Sequence, residues 1–288
     1  MSGLLIRMEE AFPLLTAMEK KAARYILDHP KSIVNLSVQS LAKLANVSES
    51  TLVRLSRSMQ CKGFQELKLK IAADLALSDA ADSNADEYQD IQFDDSIPNL
   101  IASISRNNIK SIQDTQMISS IKEMEQAIQV LRSARKIAVF GIGASAIIAE
   151  DFKFKLTRIN RWCESAYSFD MQAVIAANLN KEDAVLGISY SGQTEETIRS
   201  LEIAKENGAA IISLTKFGNN PVAELADIRL FVSSLEKSIR SGAMASRIAQ
   251  MNIIDILFVG IAAGQAQEAI QSLERTRKAV SWSKRTKG

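Results

Sequence analysis

The 288 residues include 35 Lys and Arg against 33 Asp and Glu, a formal net charge of +2, and 47% of them are hydrophobic. That length fits two domains that each bury a core, and the balance is that of a folded globular chain rather than a disordered one. No apolar run approaches the roughly 20 residues of a membrane span and residues 1–11 lack a signal-peptide pattern, so the expectation is a cytoplasmic chain without a membrane partner.

The first pattern in chain order is Thr16-Ala17-Met18-Glu19, a capping box opening a helix. Its apolar residues Met18, Ala22, Ala23, Ile26 and Leu27 fall at helical spacing, and Pro30 stops it just after His29. His29 is the single histidine, which excludes a His-ligated metal cluster. A second helix is predicted after Ser37, with Val38, Leu41, Ala42 and Ala45 at i, i+3, i+4 and i+7. A third begins after Ser48, whose hydroxyl can cap the free amides of its first turn. Only Asn46 and Val47 separate these helices, and Asn46 suits the left-handed backbone that so tight a turn needs.

This is the pattern of a helix-turn-helix, with Ala42 as the small residue at the crossing and Leu41, Ala45, Val47, Leu52 and Leu55 as shared core. A step of 100° per residue turns Ser50, Arg54, Arg57 and Ser58 away from that core. The N-terminal part of the second helix of such a pair reads base edges in the major groove. The DNA-binding set is therefore Ser48, Ser50, Thr51, Arg54, Arg57, Lys62 and Lys68. Ser50, Thr51 and Arg54 are its base-edge candidates, with Arg54 able to reach a guanine bidentately. Arg57, Lys62 and Lys68 are assigned to phosphates, which adds affinity without sequence choice. The expected partner is a palindromic double-stranded operator bound by a homodimer or homotetramer.

Basic residues thus gather late in residues 1–77, read as the DNA-binding domain. Residues 78–95 hold seven acidic side chains and no basic one, and read as a linker that repels phosphate. Residues 96–288 form the second domain. After a helical stretch from Ile97 to Ser133, strand-like runs recur at Lys136–Phe140, Ala184–Ser189, Ala210–Thr215 and Ile228–Ser233, with a weaker strand near Arg161–Glu164. Helical patterns follow the first three. Short apolar strands alternating with helices predict a five-stranded parallel sheet covered on both faces, a three-layer α/β architecture. Cys61 and Cys163 are far apart, form no CxxC pair and read as packing residues, so neither metal nor cofactor is expected.

Two strand-to-helix turns carry the chemistry. Gly141-Ile142-Gly143-Ala144-Ser145 follows the first strand, and Ser189-Tyr190-Ser191-Gly192-Gln193-Thr194 follows the Ala184–Ser189 run. Glycine lets backbone approach an anion, the opening turn of a helix offers unpaired amides, and hydroxyls complete the cradle. With a strand order of 2-1-3-4-5 the two turns flank one crevice.

The second turn resembles the phosphate loop of SIS (sugar isomerase) domains, and the first matches their first loop. Arg240–Arg247 (RSGAMASR), Val47–Arg54 (VSESTLVR) and Lys62-Gly63-Phe64 are similar to segments of RpiR-family transcription regulators. The resemblance implies a flavodoxin-like SIS fold and a repressor whose DNA affinity answers to a phosphorylated sugar or sugar acid. It places Gly143, Ser145, Ser189, Ser191, Gly192, Gln193, Thr194 and Ser246 around that effector. Two alternatives stand beside it. Gly141-x-Gly143-x-x-Ala146 with Glu164 downstream fits a loose dinucleotide fingerprint. An aldose–ketose isomerase would need an acid–base group, and residues 96–288 contain no histidine. Of the carboxylates that could act as base, Glu164, Asp170, Glu195 and Glu196, the last two read more simply as favourable charge near a helix N-terminus, so the expectation is a non-enzyme.

Overall fold

The structure is a computed structural model, described for residues 3–78, 96–234 and 244–281. The linker expected at 78–95 lies outside the described residues from residue 79 on, as does the Arg240–Ala243 part of the resemblance. The chain divides into two compact units. One comprises Met1–Ser119, Lys216–Asn220 and Phe231–Ala249; the other comprises Ser120–Thr215, Pro221–Leu230 and Gln250–Gly288.

The first unit opens with α1 (Leu4–Ala11), which the sequence reading did not name, and a 3-10 turn (Phe12–Leu14). Leu4, Met8 and Ala11 lie fully or almost fully buried on one face of α1, and the Leu5 amide donates to Asp74 3.0 Å away. Helix α2 (Ala17–Asp28) begins at the expected box: the Glu19 carboxylate accepts from the Thr16 amide at 3.1 Å and from its hydroxyl at 2.6 Å. Ala22, Ala23 and Ile26 are buried as the spacing requires, whereas Met18 is 52% exposed. Pro30 does end α2, but it also opens a short helix, α3 (Pro30–Ile33), because a missing amide costs nothing at a first helical position. Helices α4 (Val38–Ala45), α5 (Glu49–Ser58) and α6 (Phe64–Ser78) follow. One core unites Leu41, Ala42, Leu52, Leu55, Met59, Leu67 and Ile71 with Leu4, Met8 and Ile26.

The predicted helix from Ile97 to Ser133 is two helices, α7 (Ile97–Ile118) and α8 (Ile121–Ser133). They break at Ser119 and Ser120, where the Ser120 hydroxyl accepts from the Glu123 amide and caps the second. Helix α7 packs within the first unit: the Ser111 hydroxyl donates to the Ala245 carbonyl at 3.2 Å, and the Ser233 amide donates to the Thr115 hydroxyl at 3.0 Å. In the same unit the Glu10 carboxylate accepts from the Ser233 hydroxyl at 2.8 Å and the Ser234 amide at 2.7 Å. Phe217 joins the helical core and stacks edge-on with Phe231.

The sheet comprises β1 (Ile137–Phe140), β2 (Cys163–Ser165), β3 (Ala184–Ile188), β4 (Ala210–Lys216) and β5 (Ile228–Val232). Its order is β2-β1-β3-β4-β5, with β1 parallel to β2 and β3, and β3 parallel to β4. Helices α9 (Ala144–Arg158), α10 (Phe169–Ala177), α11 (Glu195–Glu206) and α12 (Pro221–Leu225) connect the strands. Alternation along the strands separates two faces. Ala138, Phe140, Val185 and Ile211 pack with Ile175, Leu201 and Val222 of α10, α11 and α12. Ile137, Val139 and Leu186, of opposite parity, are also fully or almost fully buried, and α9 packs on β1, β2 and β3. Helix α13 (Met244–Ala263) corrects one expectation, since by length and composition it could cross a membrane. Ile253, Ile254, Leu257 and Ile261 are buried along it, as in the core helix of a globular protein. Helix α14 (Ala266–Ser281) ends the described chain.

Candidate functional site

The first candidate site is built on α4 and α5. Asn46 ends α4 at φ 51°, ψ 55°, the left-handed conformation expected of it, and its amide bonds back to α4. The Val47 amide donates to the Ala42 carbonyl at 2.9 Å, so the turn is closed by backbone alone. Ser48 then caps α5, its hydroxyl accepting from the Thr51 amide at 3.2 Å. The same oxygen lies 2.8 Å from the Ser50 hydroxyl and 2.9 Å from that of Thr51.

These contacts sort the DNA-binding candidates. Ser48, Ser50, Arg54, Arg57 and Lys62 are exposed. Thr51 is 2% exposed and its hydroxyl belongs to the cap network, so we reassign it from base reading to holding α5 in place. Its neighbours Leu52 and Leu55 are core, and a residue four before Leu55 shares that face. Lys68 also has structural work: its ammonium donates to the Leu36 carbonyl at 2.8 Å and sits 5.9 Å from the Phe64 ring centroid. The Lys62 amide donates to Glu66 at 2.7 Å, and that bond, with the Lys70 ammonium, holds the Glu66 carboxyl below the usual carboxylate range. The Ser58 hydroxyl lies 3.4 Å from Glu19 on α2, in reach of a weak bond.

The second candidate site lies at the carboxyl ends of β1 and β3, which are neighbours in register with Phe140 opposite Gly187. The chain reverses its winding here, since β2 lies on one side of β1 and β3 on the other. After β1, Gly143 adopts φ 59°, ψ −124°, a conformation open essentially to glycine alone, and starts α9. A methyl group at Gly143 would meet nothing within 4 Å, so the backbone faces open space. Ser145 is half-buried in the first turn of α9.

After β3 the loop folds on its own hydroxyls. Ser189 is 2% exposed; its amide donates to the Leu214 carbonyl, and its hydroxyl accepts from the Gly192 amide at 3.1 Å. That hydroxyl also lies 2.9 Å from the hydroxyl of Thr194, the residue just before α11. Two hydroxyls in contact hold two protons and spend one on each other, which leaves one to donate to a ligand. The Ser191 hydroxyl accepts from the Gln193 amide at 3.2 Å and keeps its own proton for donation. Gly192 turns at φ 68°, and its carbonyl accepts from the Val222 amide, a support from α12 that no motif announced. The structure therefore brings Gly143, Ser145, Ser189, Ser191, Gly192, Gln193 and Thr194 to adjacent strand ends. Ser246, 2% exposed on α13, belongs to the other compact unit. Glu164 accepts from the Trp162 indole at 2.8 Å and faces Lys136 at 4.0 Å. Burial pushes the Cys163 thiol up to about 12 and raises that of Cys61, so both cysteines are packing groups.

Comparison with known proteins covers both regions of the chain. Residues 2–78 match the helix-turn-helix domain of the rpiR family, and residues 130–260 match the SIS domain. The chain is 39% identical over 284 residues to the HTH-type transcriptional regulator TTE0211 of Caldanaerobacter subterraneus subsp. tengcongensis, covering 99% of each. The chain belongs to the RpiR family. It is also 38% identical over 267 residues to the HTH-type transcriptional regulator YbbH of Bacillus subtilis, covering 92% of this chain and 93% of that one. Among solved structures, the Vibrio vulnificus NanR protein complexed with ManNAc-6P shares the fold at a TM-score of 0.60 and 23% identity, covering 96% of this chain and 98% of that one. This member of the RpiR family is thus a transcriptional regulator that joins a helix-turn-helix to an SIS domain.

Proposed function

We propose that this RpiR-family chain is a cytoplasmic repressor whose grip on DNA is set by a phosphorylated sugar or sugar acid held between the loops after β1 and β3. Residues 1–77 read a palindromic operator, residues 78–95 connect, and residues 96–288 sense. The observation that carries the reading is the pairing of two glycine- and hydroxyl-bearing helix starts at the switch point between β1 and β3. Helix N-termini favour an anion, and the Ser191 hydroxyl with one proton from the Ser189–Thr194 pair supplies donors to it. A dinucleotide would leave the hydroxyls of the second loop without work. The phosphosugar acts as a signal rather than a substrate, since ring opening and proton transfer call for an acid–base group and residues 96–288 hold no histidine.

The test is a thermal-shift screen of phosphorylated sugars and sugar acids, with ManNAc-6P among them, followed by titration of the double variant Ser189→Ala, Ser191→Ala. Hydrogen bonds to a charged group contribute about 1.5–3 kcal/mol each, so effector affinity falls at least tenfold. DNA binding without effector stays within about twofold, because neither serine belongs to the helix-turn-helix. The wild-type chain shows no aldose–ketose interconversion. An unchanged effector response in the double variant, or turnover by the wild type, overturns the reading.

A further inference from the structure

Gln172, in the second turn of α10, is fully buried and was not singled out by any motif. Its side-chain nitrogen carries two protons, and both are placed. One goes to the Gly141 carbonyl at 2.9 Å and the other to the Ala166 carbonyl at 2.7 Å. Gly141 is the first residue after β1, and Ala166 the first after β2. Val139 and Ser165 pair across those strands, so one amide group stitches together two loops that leave neighbouring strands. Its oxygen, Oε1, is buried and has no hydrogen-bond partner among the described residues. A buried acceptor left without a donor is costly, and an apolar side chain of the same size would avoid that cost. What the amide contributes is the two bonds it donates.

We infer that Gln172 is a positioning residue of the anion cradle, setting the direction in which the first loop presents its backbone. The inference rests on the phosphosugar reading of that cradle. The peptide between Gly141 and Ile142 is planar and trans, so its C=O and N–H point to opposite sides. Holding the Gly141 carbonyl toward α10 therefore turns the Ile142 amide away from α10 and fixes the entry into Gly143 and α9. Without the two donated bonds, that carbonyl is free to rotate and the loop has no single orientation for an anion. Because the second proton goes to the Ala166 carbonyl, the loop after β2 is tied to the loop after β1 through the same amide.

The experiment titrates the full-length chain with inorganic phosphate, which reports the cradle without the sugar. Gln172→Met keeps the volume and removes both donors, and phosphate affinity falls at least tenfold. Gln172→Glu is the conservative arm: a protonated carboxyl donates one bond and a carboxylate none. The ratio of wild-type to Gln172→Glu affinity, measured side by side because phosphate itself titrates in this range, shrinks several-fold from pH 8 to pH 5.5. If Gln172→Met does not fold, the Gln172→Glu ratio decides alone. Wild-type binding with affinity within twofold in Gln172→Met, or a ratio for Gln172→Glu that stays within twofold of one at every pH, overturns the role of Gln172. No phosphate binding by the wild-type chain overturns the phosphosugar reading and this inference with it.

Discussion

Arg54 and Lys62 are both exposed cations of the helix-turn-helix unit, and the proposed reading gives them different work. Arg54 stands in the second turn of α5, on the face opposite Leu52 and Leu55, where a recognition helix reaches base edges. Lys62 follows α5, and its backbone is pinned by Glu66 in the turn before α6. Replacing Arg54 by Ala is expected to cost about 1–3 kcal/mol on the operator and to relax preference at one base pair. Lys62→Ala is expected to weaken operator and scrambled DNA alike and to make the salt dependence shallower. Binding isotherms on both DNAs at two salt concentrations separate the two; equal loss on both DNAs for Arg54→Ala makes it a phosphate contact. At this scale the sequence was legible where the signal is local. Ser48, Asn46 and the Thr16–Glu19 box are each decided within a few residues, and each holds in the structure. Thr51 was misread because its partners, the hydroxyl and carbonyl of the Ser48 cap, are not written in its own residue type, and the bond from Lys68 to the Leu36 carbonyl was not foreseen for the same reason. Gln172 was missed for the same reason.

The turn between α4 and α5 depends on one backbone angle. Asn46 sits at φ 51°, where a β-branched side chain collides with its own backbone. Asn46→Val is expected to destabilise the first unit by about 1–2 kcal/mol, read as an earlier transition in chemical unfolding. Asn46→Gly is expected to be near neutral, and equal stability of the Val and Gly variants would show that the turn is not held at this angle. Element boundaries were harder to read than element types. The strands appeared within a residue or two of their expected positions, since short, mostly apolar runs bounded by turns leave little choice. The break at Ser119–Ser120 was invisible to periodicity, because apolar spacing continues on both sides of it. Helix α1 escaped notice although Leu4, Met8 and Ala11 repeat at i, i+4 and i+7; eight residues give too short a pattern to stand out. The apolar character of α13 was underestimated because its charges, Arg247 and Asp255, interrupt the run without ending the helix.

Apolar side chains left in solvent bear on the state of the whole molecule. Within the second unit Ile147 and Phe154 of α9, Ile256 and Val259 of α13, and Ile270 and Val280 of α14 are all exposed. Ile256 and Val259 lie three residues apart, turned away from the face that buries Ile253, Ile254 and Leu257. Between α9 and α14 an open groove of about 530 Å³ has Phe154 and Val280 in its walls. Single exposed apolar residues are ordinary, but six on three helices of one unit are more than a solvated surface needs. One helix-turn-helix also contacts too few base pairs for a unique address, and such domains work as symmetric pairs on palindromes. The full-length chain is therefore expected to sediment at micromolar concentration as a dimer or tetramer. The double change Ile256→Asp with Val259→Asp places two charges on each copy of the shared face and is expected to shift the chain toward monomer. Operator affinity then drops by at least tenfold, because each half-site is bound without the other. Phosphate binding is expected to persist, since the cradle residues after β1 and β3 all come from one chain. A wild-type monomer, or a double variant that keeps its mass, would show that the exposed face of α13 is not where copies meet.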